Sequence, residues 1–124
     1  MDKKHRSIKI MANKKIPDKK IKKILSDIKD YARHLDQKGF IWQFLYLYGS
    51  WAKGNFHKNS DIDIAFVSDE FENDFQGLQF LWSNLRKKDA LKGIEPIAFT
   101  PESFASAGNP LALMIKREGI KIKI

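Results

Sequence analysis

Ile21, Ile24, Leu25, Ile28, Tyr31, Ala32 and Leu35 recur at three- and four-residue steps and draw one apolar stripe. That period predicts a helix from Pro17 to about Lys38, with Pro17-Asp18 as its start signal and Gly39 as its stop. Ile41–Tyr48 follows as an aromatic and aliphatic run between Gly39 and Gly49, the pattern of a buried strand. Residues 49–60 are a Gly/Ser/Asn-rich connection, and Asp61–Val67 reads as a second strand. Ser68 is a plausible cap for a helix whose apolar face is Phe71, Phe75, Leu78, Leu81, Trp82 and Leu85, ending near Lys88. Ile94–Phe99 reads as a third strand. Thr100-Pro101 and Asn109-Pro110 each place a capping residue before a proline, the start of a short helix. Gly119 closes the last of these, and Ile120, Ile122 and Ile124 alternate with lysines as a terminal strand.

This order predicts an α+β (mixed α/β) domain, a small mixed sheet of about four strands covered by helices. The 124 residues suit one domain, expected over residues 16–124, and 43% hydrophobic content supplies a core. Residues 1–15 lack periodicity and read as a basic, flexible arm. Charge sharpens that division. The formal charge is +8, and residues 1–23 carry ten basic side chains against two acidic ones, so the remainder is neutral. No aromatic residues interleave with the arm's charges, so a solvated tail is the better reading than a nucleic-acid contact. The chain has no cysteine, which excludes disulfides, thiolate zinc sites and a cysteine nucleophile. It also lacks the apolar run needed to span a bilayer and the pattern of a secretory signal, so the expected location is the cytoplasm.

Asp61 and Asp63 are the most informative pair. Residues two apart in a strand share a face, so Ile62 and Ile64 turn to the core and the two carboxylates stand side by side. Bare, they repel; a divalent cation relieves that, and hard oxygen ligands select Mg²⁺ or Mn²⁺. Gly49-Ser50 follows a strand directly, where glycine allows close approach of backbone to a phosphate and the serine hydroxyl adds a donor. Ser60 is placed to bond locally and shape the entry to the second strand.

The segment GSWAKGNFHKNSDIDIAF, residues 49–66, resembles the G-S-x-A-x-G-(x)n-S-D-x-D signature of the DNA polymerase β-like nucleotidyltransferase superfamily. It is most similar to the minimal nucleotidyltransferases, including the antitoxin half of HEPN–nucleotidyltransferase toxin–antitoxin pairs. The order of elements over residues 17–124 fits as well. The resemblance implies that Gly49 and Ser50 bind a nucleotide triphosphate and that Asp61 and Asp63 bind two Mg²⁺ ions. It also implies a third carboxylate on a later strand. Glu95, the one acid in the predicted third strand, maps to that position as metal ligand and base, where the family more often has aspartate. Pro96 beside it removes a ladder donor and points to an edge or a bulge. Glu102 is the alternative acid, better placed to meet the dipole of the next helix.

The implied reaction moves a nucleotide, AMP from ATP, onto a hydroxyl. The implied acceptor is a tyrosine of a partner HEPN toxin, which would make the protein an antitoxin. Transfer to a small molecule such as an aminoglycoside asks for a further substrate domain. A domain that only binds and neutralises a partner is the non-enzymatic alternative. Lys53, Lys58, His34 and His57 read as solvated residues, and Trp51 as the aromatic nearest the phosphate turn.

Overall fold

The computed structural model describes residues 18–124, and the arm expected over residues 1–15 lies outside the described residues. The apolar stripe forms α1 (Asp18–Gln37), within a residue of the expected bounds. β1 (Phe44–Tyr48) leads through Gly49 into α2 (Ser50–Lys53), and β2 (Ile62–Val67) follows. Then come α3 (Asp74–Ser83), α4 (Lys87–Leu91), β3 (Ile94–Phe99), α5 (Pro101–Ala105), α6 (Pro110–Glu118) and β4 (Ile120–Lys121). The sheet order is β3-β2-β1-β4. β1 runs antiparallel to β2 and to β4, whereas β2 and β3 are parallel. The mixed four-stranded sheet covered by helices is the fold the sequence pattern predicts.

Alternation along the strands divides the core in two. Leu45, Leu47, Ile62, Ile64, Phe66, Ile94 and Ala98 face α1, which seals them with Ile24, Ile28, Tyr31 and Leu35. Tyr31 sits edge-on to Phe66, with ring centroids 6.1 Å apart, and its hydroxyl donates to the Leu81 carbonyl at 2.8 Å. On the opposite face Ala65, Val67 and Phe99 pack against Phe104 of α5 and Ala112 and Ile115 of α6. Both of these helices start as expected: Thr100 Oγ1 accepts from the Ser103 amide and Asn109 Oδ1 from the Ala112 amide, each with proline at the first helical position.

The predicted helix from Ser68 to Lys88 differs most from the structure. Ser68 is buried and does not cap a helix: its hydroxyl donates to the Ile41 carbonyl at 2.6 Å and accepts from the Glu70 amide at 3.0 Å. Asn73 caps α3 instead, accepting from the Gln76 amide at 2.8 Å. The chain breaks after Ser83 and restarts as α4, pinned by the buried Asp89 carboxylate. Asp89 accepts from the Arg86 amide at 2.9 Å and from the Arg86 guanidinium at 2.9 and 3.0 Å. Phe75 and Trp82, expected in the core, are exposed at 66% and 47%. Ile41–Gln43 lie outside β1, and β4 is shorter than expected, with Ile124 exposed.

Pro96 does lie on an edge strand. The carbonyls of Gly93 and Phe99 accept from β2-side amides, Ile62 at 2.8 Å and Ser68 at 3.1 Å. Odd-numbered residues of β3 therefore bond inward, and Pro96 faces out. Its missing N–H interrupts no ladder, and its carbonyl accepts from the Trp82 indole at 2.9 Å.

Candidate active site

The chain turns sharply where β1 ends. Gly49 has φ 77° and ψ −152°, a conformation open essentially to glycine alone. A Cβ there would stand 3.3 Å from Cγ of Asp63, so the turn and the carboxylate are in direct apposition. Ser50 then begins the single turn of α2, which Gly54 closes in the left-handed region at φ 85°. The connection to β2 is tied at both ends. Trp51 stacks on Phe56 with centroids 4.1 Å apart and its indole donates to the Ser60 carbonyl at 3.3 Å. Ser60 Oγ accepts from the His57 amide at 2.8 Å, the local bond expected of it. Asp61 thereby enters β2 in fixed register.

That register assembles the site. Asp63 pairs with Tyr48 across the antiparallel ladder and with Glu95 across the parallel one. Ile62 and Ile64 are buried toward α1, which leaves Asp61, Asp63 and Glu95 on the opposite face with Tyr48. The structure thus brings together Gly49, Asp61, Asp63 and Glu95, with Ser50 adjacent in the chain.

The electrostatics are those of crowded carboxylates. Asp63 is pushed up to about 6, first by burial and then by the charges of Glu95 and Asp61. Glu95 is also raised, by burial, by Asp61's charge and by a hydrogen bond with Asp61. The Tyr48 phenol is driven well above its usual range by burial, with Asp63 and Glu95 adding to it. The sequence places Tyr48 at the end of the strand before the site; its place opposite Asp63 follows from the antiparallel pairing, which residue spacing alone does not reveal.

Other candidates separate from this cluster. Lys53 pairs with Glu118 at 3.7 Å. His57 Nδ1 accepts from the Asn59 amide at 3.3 Å, and Glu102 lies in the first turn of α5. Trp51 is 5% exposed and braces the loop under Phe56, which removes it as a surface for a nucleotide base. Among the described residues, no group of three or more His, Cys, Asp or Glu side chains forms a metal cage by itself.

The sequence profile of the nucleotidyltransferase domain matches residues 18–122. The chain belongs to the nucleotidyltransferase domain family. No curated protein matches it. Among solved structures, the nucleotidyltransferase domain is similar to a protein from Sulfolobus solfataricus assigned as a nucleotidyltransferase. The two share 20% identity over 81% of this chain and 78% of that one, with a TM-score of 0.55, a likeness of fold. Family membership makes the protein a transferase with a nucleoside triphosphate as substrate, and domains of this family generally use divalent metals. No described helix is long and apolar enough to cross a membrane.

Proposed function

We propose that this nucleotidyltransferase domain transfers AMP from ATP, with Mg²⁺, to the hydroxyl of a tyrosine on a partner HEPN protein, and thereby acts as its antitoxin. The observation that carries the catalytic part is the register that sets Asp63 between Glu95 and Tyr48 and against Gly49. The choice of ATP and of a HEPN partner comes from the resemblance of residues 49–66 to the minimal nucleotidyltransferases of toxin–antitoxin pairs.

Asp61, Asp63 and Glu95 fit Mg²⁺ by donor chemistry: three hard carboxylates, of which Asp63 and Glu95 are raised first by burial and then by the neighbouring negative charges. The absence of a closed protein cage is compatible with this ion, which keeps waters and shares its coordination with substrate phosphates. Bound there, Mg²⁺ supplies positive charge to the carboxylates and to the transferring phosphoryl group. Gly49, lacking a side chain, leaves its backbone open to the triphosphate, and the Ser50 hydroxyl offers a donor beside it. The acceptor oxygen forms a bond to the α-phosphorus as the bond to the β-phosphate bridge breaks. Pyrophosphate leaves, and the hydroxyl proton passes to Glu95. Aligning the entering and leaving oxygens is the chief contribution of such a rigid strand site.

The test is incubation with each α-labelled nucleoside triphosphate and Mg²⁺, with and without a HEPN-type protein as acceptor. Label should appear on the partner, with ATP preferred. Asp61→Asn and Asp63→Asn should each lower it by about 100-fold or more while circular dichroism stays unchanged. Near-normal transfer by either variant refutes the carboxylate roles. Label on a small molecule in place of the partner refutes the acceptor.

A further inference from the structure

Away from the carboxylates, the structure gathers lysines that are far apart in sequence. Lys19, Lys20 and Lys23 of α1, Lys58 of the loop after α2 and Lys92 before β3 line one groove of about 480 Å³. Asp27 is the one carboxylate among its described lining residues. It meets Lys23 at 3.5 Å and Lys92 at 3.2 Å. Lys19, Lys20 and Lys58 have no ion pair with a described residue, so the groove keeps a strong positive excess. Three of these five lysines come from the basic start of α1, while Lys58 and Lys92 are drawn from residues 24–124, which are neutral as a whole.

We propose that the groove binds single-stranded nucleic acid through its phosphates. Lysine is a compact point charge suited to phosphate oxygens, and no arginine fork of the kind that captures carboxylates pairwise lines this surface. A ligand that answers several ammonium groups in succession needs charge repeated along its length, and a phosphodiester strand carries one per nucleotide. The ring faces near the groove are already used. Trp51 lies on Phe56, and the Lys20 ammonium lies 5.9 Å from the Phe56 centroid. Recognition is therefore by backbone charge with little preference among bases. Ile62 also lines the groove and faces α1, so a seated strand lies on the side of the sheet opposite the carboxylate face.

The binding is independent of nucleotidyl transfer and is measured without a nucleoside triphosphate. The probe is a fluorescein-labelled oligoadenylate RNA of about twelve nucleotides, titrated by anisotropy with the full chain across a salt series. Each phosphate neutralised on a single strand adds about 0.7 to the slope of log affinity against log salt. The double variant Lys20→Ala/Lys58→Ala should lower that slope by about 1.4. Lys38→Ala/Lys123→Ala, which removes the same charge elsewhere, should leave it unchanged. Equal losses in both doubles would overturn the proposal, because net charge alone would explain them. Displacement of the RNA by polyglutamate of matched charge at equal concentration would also overturn it, in favour of a surface for acidic proteins. Asp63→Asn should bind the RNA with the wild-type slope, so failure of transfer and failure of the groove are read separately.

Discussion

Asp63→Asn is expected to stabilise the metal-free protein near pH 7.5 while abolishing its proposed activity. Burial is the largest cause of the raised Asp63 carboxyl, followed by repulsion from Glu95 and Asp61. A shift from 3.8 to about 6 spans about two pH units. At about 1.4 kcal/mol each, these set an upper bound of about 3 kcal/mol for holding the charge in the fold. Asp63 is only half-buried, and solvent screening reduces the expected gain to about 1 kcal/mol. The folded protein binds more protons than the unfolded chain between about pH 4 and 6. Stability therefore falls as pH rises through that window and stays low above it. Glu95 shifts upward as well and acts in the same sense. Asparagine keeps the size and removes the charge. Thermal melts at about pH 4.5 and 7.5, without divalent metal, should show a gain of about 3–5 °C for the variant at the higher pH. The gain should be clearly smaller at the lower, where only the first part of that window has been crossed. Millimolar Mg²⁺ should raise the melting temperature of the wild type more than that of the variant. A variant less stable than wild type near pH 7.5, or a gain that ignores pH, refutes the reasoning.

Gly49→Ala should lose transfer and about 2 kcal/mol of stability, since alanine resists φ 77° and its Cβ meets the Asp63 carboxylate; a melt and a labelling assay read both. Asp89→Ala should cost about 3 kcal/mol, seen as a lower urea midpoint at unchanged m-value. It strips the buried acceptor of the Arg86 amide and guanidinium. Tyr31→Phe should cost about 1–2 kcal/mol in the same titration, because the buried Leu81 carbonyl loses its donor.

The parts of the fold legible in the sequence are those set by local rules. Seven apolar residues at helical spacing define α1, and the cap-proline pairs Thr100-Pro101 and Asn109-Pro110 mark α5 and α6 within the chain itself. Asp61 and Asp63 likewise share a face by strand period alone. The misread stretch, Ser68 to Lys88, was decided by distant partners. Ser68 serves the Ile41 carbonyl, and Asp74, the first residue of α3, bonds the Thr100 amide at 2.8 Å and the Ser103 hydroxyl at 2.6 Å. No local pattern announces a bond across 26 residues. The apolar look of Phe75 and Trp82 was misleading for a related reason: α3 presents Gly77 and Leu81 to the core. Gly77 fits there because a Cβ would come within 2.7 Å of Ala98 and Phe71. At the site, composition and spacing supplied the residues, while strand pairing supplied their neighbours. Tyr48 beside Asp63 belongs to the second kind.

The outward-facing proline at position 96 has a consequence for how these molecules coexist at high concentration. One margin of the sheet offers no amide there, and its carbonyl is already held by an indole. The other margin ends in a strand of two residues. Among the described residues neither margin presents a long unbroken row of amides, so both resist pairing with a strand from a second molecule.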